Sequence, residues 1–163
     1  MKTWIPGVLF GLLAATGSPS SAAVDSRPSF DVEFKRIEFP QGKPDRSQAG
    51  VSVEDILSDE EIAVLWELRT ALLEHRFLGA TVTGYADDHE CQADVCRELS
   101  LRRASLVLAW LLKHGVPDVQ LRGPASESTD FPLNPGETED DRARNRRVQL
   151  LPFVVPGSLP GGH

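Results

Sequence analysis

Two long stretches of the chain carry apolar residues at helical spacing. The first opens with the capping box of Ser58 and Glu61 and predicts a helix over about residues 59–75. The second predicts a helix from roughly residue 92 to residue 114, where Gly115 ends it. We expect its buried stripe to be Leu101, Ala104, Leu108, Leu111 and Leu112.

Four shorter stretches have the apolar pattern of strands. Residues 30–39 alternate apolar and polar with one phase slip, which indicates a bulged strand or two short strands. Further strands are predicted at residues 77–84, around residues 119–121 and at residues 148–153. Residues 124–141 between the last two are interpreted as a long polar loop.

This order of elements predicts an α+β fold, a small mixed β-sheet with two long helices packed on one face. The order is strand, helix, strand, helix, strand, strand. The strand–helix–strand units are expected to pair their strands in parallel by right-handed crossover.

The first 22 residues have the pattern of a secretory signal peptide. A charged start at Lys2 precedes an apolar run too short for a membrane span, and small residues follow it. A retained N-terminal anchor is the alternative. We therefore divide the chain into a signal peptide (1–22), a polar lead-in (23–29), one domain (30–155) and a disordered tail (156–163).

Charge narrows the classes of partner. The chain has a formal net charge of −7, and removal of Lys2 with the signal peptide takes the mature protein to −8. Nucleic acid and anionic membrane surfaces repel such a protein. No later segment has the length and hydropathy of a membrane span, so we expect none after signal removal.

The two cysteines, Cys91 and Cys96, fall in the mature chain. Export places them in an oxidising compartment, which favours a disulfide. Five residues apart in a continuous helix, their Cα atoms would be about 8 Å apart, beyond disulfide reach. Cys91 should therefore lie outside the second helix or in a distorted first turn.

An acid and a base flank these cysteines. Asp87 follows the second predicted strand, and Arg103 lies on the second predicted helix. A carboxylate and a guanidinium held close together can bind the ammonium and the carboxylate of a zwitterion. On spacing alone, two solvated surface charges are the simpler interpretation.

Three short motifs resemble the C-terminal domain of the OmpA family. They are Gly84-x-x-Asp87, then Leu99-Ser100-x-x-Arg103-Ala104, then Asn145-Arg146-Arg147-Val148. The resemblance covers about residues 30–154 and implies a stand-alone domain without the transmembrane β-barrel found in some members.

The resemblance implies a periplasmic, cell-wall-associated protein that binds peptidoglycan without catalysis. In that family the loop Asp and the helix Arg hold the diaminopimelate of the stem peptide, roles that fall here on Asp87 and Arg103. Asn145 and Arg147 are further candidates for the same pocket. Asp88 is an alternative acid, because this loop is one residue longer than the common pattern. No cofactor and no metal are implied.

Two further departures from the family pattern bear on the affinity for peptidoglycan. The usual Gly-His-Thr-Asp is Gly-Tyr-Ala-Asp here, and Cys96 replaces a frequent asparagine. An interaction module for other envelope proteins, without wall binding, is the alternative function. A metal site is a further alternative, because six possible ligands cluster loosely in the sequence, namely Asp87, Asp88, His89, Cys91, Cys96 and His114. Their spacing matches no standard zinc pattern, and oxidised cysteines could not bind a metal. Neither a nucleophile elbow nor an HExxH motif supports an enzyme.

Overall fold

The computed structural model describes residues 34–48, 50–127 and 136–158. The predicted signal peptide, the polar lead-in and residues 30–33 of the first predicted strand therefore lie outside the described residues. So do residues 159–163 of the predicted tail, whereas residues 156 and 157 form a turn.

Strands and helices alternate along the described chain. The helices are α1 (Asp59–Glu74), α2 (Ala93–Lys113) and a short α3 (Glu139–Asn145), and the strands are β1 (Ile37–Glu38), β2 (Leu78–Gly84), β3 (Leu121–Ser126) and β4 (Arg147–Val154). Single 3₁₀ turns lie at Val53–Asp55 and Asp118–Gln120. The predicted α+β class is confirmed, and the two long helices agree with their predicted bounds to within one residue.

The four strands form one mixed sheet in the order β1-β4-β2-β3. β2 and β3 are parallel, as the crossover through α2 predicts. The parallel pairing expected between the first two strands is wrong, because β4 lies between them and is antiparallel to both. β2 pairs with β4 along the whole length of β2, from Leu78 opposite Val154 to Gly84 opposite Val148. β1 pairs with β4 over only two residues.

Side chains from both long helices and the sheet form one hydrophobic core. The buried face of α2 differs from the predicted stripe, since Leu112 is exposed and Leu101 and Leu108 are only half-buried. Ala104 and Leu111 are buried as predicted, and the other buried residues of α2 are Cys96, Leu99, Ser100, Arg103, Val107 and Trp110. This row also has helical spacing, and it carries Arg103 into the interior.

Gly84 brings the end of β2 close against α2. A Cβ on this residue would collide with the carbonyl oxygen of Ser100. The absent side chain therefore allows the strand and the helix to approach closely. The loop that follows Gly84 consequently begins beside the first turns of α2.

The predicted polar loop at residues 124–141 is wrong at both ends. β3 continues to Ser126, and α3 begins at Glu139. Thr138 caps α3, because its side chain accepts a hydrogen bond from the Asp141 amide and Asp141 bonds back to Thr138. Glu139, Asp140 and Asp141 therefore form the first turn of a helix, where the positive end of the helix dipole favours acidic side chains.

Candidate functional site

Asp87 lies three residues beyond the end of β2, and its side chain is buried. Its Oδ1 accepts a hydrogen bond from the amide of His89 at 2.8 Å. Its Oδ2 accepts one from Nδ2 of Asn145, at the end of α3, at 3.4 Å. Hydrogen bonds from His89 and from Asn145 thus orient the Asp87 carboxylate.

Arg103 is fully buried on α2, and each of its five N–H groups has an acceptor. Nε donates to the carbonyl of Lys43 at 2.8 Å. NH1 donates to the carbonyl of Tyr85 at 3.0 Å, and NH2 to that of Pro40 at 3.3 Å. The remaining two N–H groups bind Glu90 as a fork, at 2.6 and 2.8 Å.

Glu90 connects the acid and the base. Its carboxylate is buried, and besides Arg103 it accepts the amide of Asp87 at 2.9 Å and that of Gly42 at 2.8 Å. The backbone of Asp87 and the guanidinium of Arg103 therefore bond to one Glu90 oxygen. The sequence motifs did not indicate Glu90, since it lies in a loop without periodicity.

The predicted disulfide between Cys91 and Cys96 is present, with Cα atoms 5.1 Å apart. Cys91 precedes the first residue of α2, as the distance argument requires. The buried Cys96 packs with Ala86 and Leu99 in a small cluster separate from the main core. The bridge therefore ties the loop after Asp87 to the first turn of α2.

The two further candidates lie beside this network. Asn145 is buried and contacts Asp87 directly. Arg147 is also buried, and its guanidinium lies 3.7 Å from the ring centroid of Tyr85. Burial raises the pKa of Tyr85 and lowers the pKa of Arg147. The carbonyl of Tyr85 also accepts a hydrogen bond from Arg103. Tyr85 therefore links Arg147 to Arg103.

Asp88, the alternative acid, lies next to Asp87 at the surface. Its side chain is 71% exposed and bonds to Nδ1 of His89 at 2.7 Å. Within the described chain, Asp87, Asp88 and His89 bring three metal-ligand atoms within 4.8 Å of one another. The cysteines named with them are joined in the disulfide and supply no thiolate.

Among the described residues, no helix combines the length and apolar composition needed to cross a bilayer.

Neither a family model nor a curated protein matches this chain. Solved structures do. The peptidoglycan-associated lipoprotein of Burkholderia pseudomallei is similar over 73% of this chain and 90% of its own, with 23% identity and a TM-score of 0.58. The C-terminal domain of Helicobacter pylori MotB is similar over 74% of this chain and 86% of its own, with 18% identity and a TM-score of 0.58.

A third similar structure is a MotB-like protein from Desulfovibrio vulgaris. It has 26% identity and a TM-score of 0.50, over 66% of this chain and 65% of that one. At these identities the similarity is one of fold. The architecture predicted from the three motifs, that of the OmpA C-terminal domain, is the fold that this chain has.

Proposed function

We propose that this protein binds peptidoglycan non-covalently in the periplasm, through the diaminopimelate of the stem peptide. The observation that carries the proposal is that Asp87 and Arg103, 16 residues apart, bond to one Glu90 oxygen. A solved structure of the same fold belongs to a peptidoglycan-associated lipoprotein, which supports a wall ligand. The protein needs no cofactor for this role and performs no reaction.

Each proposed residue has a role that its chemistry suits. The Asp87 carboxylate receives the ammonium group of diaminopimelate, and the planar fork of Arg103 receives its carboxylate. Asn145 orients Asp87 through the bond to Oδ2. Arg147, stacked on Tyr85, adds positive charge at the edge of the site. The burial of Asp87 and the exposure of Asp88 favour Asp87 as the acid.

Sedimentation with purified sacculi tests this proposal. We expect the wild-type protein to pellet and Asp87→Asn to stay in solution, because loss of one charged partner typically costs roughly 2–5 kcal/mol. Asp88→Asn is the matched control, since it removes the same charge from the adjacent exposed residue. If Asp87→Asn pellets with the sacculi and Asp88→Asn stays in solution, the acid that binds the ligand is Asp88, and the assignment to Asp87 is wrong.

The alternative function, an interaction module for envelope proteins, has one observation in its favour. The fork of Arg103 already holds the chain's own Glu90. If wild-type protein and every variant remain in solution with sacculi, this alternative replaces wall binding. Release of soluble muropeptides during the incubation would instead indicate an enzyme.

A further inference from the structure

The donors around the Glu90 carboxylate have the composition of a carboxylate receptor. Two N–H groups come from Arg103, one from the Asp87 amide and one from the Gly42 amide. A planar guanidinium bound to both oxygens of a carboxylate is the strongest side-chain arrangement for this anion. The four donors come from three separate segments of the chain, namely the turn after β1, the loop after β2, and α2.

Glu90, whose carboxylate these donors bind, lies in a short turn. Residues 88–90 form this turn between Asp87 and Cys91, and Asp88 and His89 are exposed there. The backbone of Glu90 is held by a single hydrogen bond within the turn, from its amide to the Asp87 carbonyl at 3.2 Å. The receptor groups lie outside this turn: Gly42 in the turn after β1, Asp87 directly before residue 88, and Arg103 on α2. Movement of the Glu90 side chain with residues 88–90 would therefore vacate the fork of Arg103.

We propose that Glu90 is a resident occupant of this receptor and sets the affinity of the site for an external carboxylate. An incoming carboxylate binds Arg103 only when the Glu90 side chain leaves. The identity of the natural ligand rests on the proposed function; the receptor itself does not. The four donors then transfer from an internal anion to an external one, so the charge on Arg103 stays compensated.

Chemical rescue by acetate tests the receptor without any wall material. Glu90→Ala leaves the fork without its anion, and acetate should refill it. We expect the melting temperature of Glu90→Ala to rise with acetate concentration at constant ionic strength, as for any ligand that binds the folded state. The wild-type protein should show no such rise, because Glu90 occupies the fork.

Glu98→Ala is the matched control for this experiment. Glu98 also forms an ion pair with an arginine, Arg46, but both side chains are more than half exposed. Acetate should therefore leave its melting temperature unchanged. An acetate response of Glu90→Ala no larger than that of Glu98→Ala would overturn the proposal.

Glu90→Gln covers the case in which Glu90→Ala does not fold. The Asp87 amide donates to Oε1 of Glu90 and the Gly42 amide to Oε2, so the single amide oxygen of Gln can accept only one of them. Gln is also a neutral and weaker partner for Arg103. We expect Glu90→Gln to bind sacculi about tenfold more tightly than wild type, because its internal competitor is weaker. Where the wild-type protein binds sacculi, equal or weaker binding by Glu90→Gln would overturn the proposal.

The two proposals fail in different ways. If no variant pellets with sacculi but acetate still stabilises Glu90→Ala, the wall ligand is wrong and the carboxylate receptor is correct. If wild type and Glu90→Gln pellet equally and acetate has no effect, Glu90 is a structural partner only and wall binding stands.

Discussion

The guanidinium of Arg103 illustrates what burial demands of a single residue. A charged group without solvent must find a partner for every donor, and Arg103 finds five. The guanidinium carbon of Arg103 also lies 5.5 Å from the centroid of the Phe39 ring, so the ring covers one face of the guanidinium. The same side chain that is proposed to bind ligand therefore also joins the turn after β1, the loop after β2, and α2.

Replacing Arg103 should destabilise the folded protein as well as impair binding. Arg103→Ala leaves the buried Glu90 carboxylate without its counter-charge, which typically costs about 3–5 kcal/mol. Arg97→Ala is the control, because Arg97 is exposed on the same helix and its loss should cost less than about 0.5 kcal/mol. Denaturant unfolding of both variants measures the difference. A loss of stability no larger for Arg103→Ala than for Arg97→Ala would contradict the buried ion pair.

Sequence reasoning named Asp87 and Arg103, which the structure joins through Glu90, but it did not name Glu90 itself. The first two fall in motifs with a fixed position relative to a strand or a helix. Glu90 lies in a turn whose path depends on the disulfide and on the contact with Gly42, 48 residues away. No local pattern encodes such a long-range contact.

At the scale of elements, strong periodicity was the reliable signal. The two long helices repeat their apolar residues over several turns and carry recognisable ends, so their bounds were predictable. The short α3 follows a polar segment and has only seven residues, too few for a hydrophobic stripe. Its capping box uses Asp141 where the usual pattern has Glu or Gln, which hid the start signal.

Close packing between β2 and α2 gives a prediction for Gly84. Gly84→Ala places a methyl group against the Ser100 carbonyl oxygen, a backbone atom that cannot rotate away. We expect the free energy of unfolding to fall by about 1–3 kcal/mol or more, and the loop that carries Asp87 to be displaced. Thermal unfolding measures the loss.

Gly115→Ala separates this collision from glycine's backbone freedom. Gly115 has a φ of +89°, and a Cβ at this position would have no atom within 4 Å. Alanine there would therefore meet backbone strain but no collision. It should leave the site intact and cost less than Gly84→Ala. The reverse order of stability would exclude the close approach of β2 and α2.

At the scale of the whole molecule, the fold was predictable because three distant motifs imply one arrangement. The loop at Asp87, the helix at Arg103 and the segment at Asn145 converge through hydrogen bonds in the structure. The strand order was less predictable. The crossover rule orders β2 and β3, but the antiparallel entry of β4 between β1 and β2 depends on contacts far apart in sequence.

Stability of the whole protein should depend on pH through Glu61, where α1 meets β1. Burial raises the pKa of Glu61, and the negative charge of Glu38 raises it further, although the hydrogen bond from the Glu38 amide opposes both. A carboxyl group with a raised pKa binds its proton more tightly in the folded state. Its contribution to stability is therefore full below the unfolded pKa near 4.5 and is lost as pH rises through the folded value. Glu61→Gln should gain stability relative to wild type from pH 4 to pH 7, by less than about 1 kcal/mol because the group is half exposed.

Glu139 serves as the comparison for Glu61, because its pKa is shifted in the opposite direction. Hydrogen bonds from Arg146 and Arg142 lower the pKa of Glu139, so its contribution is present above the unfolded pKa near 4.5 and is lost as pH falls through the folded value. Glu139→Gln should therefore differ from wild type by a constant amount near neutral pH and converge with it in acid. Urea unfolding at a series of pH values distinguishes the two curves. If both variants follow the same pH dependence, the burial of Glu61 between α1 and β1 does not control its titration.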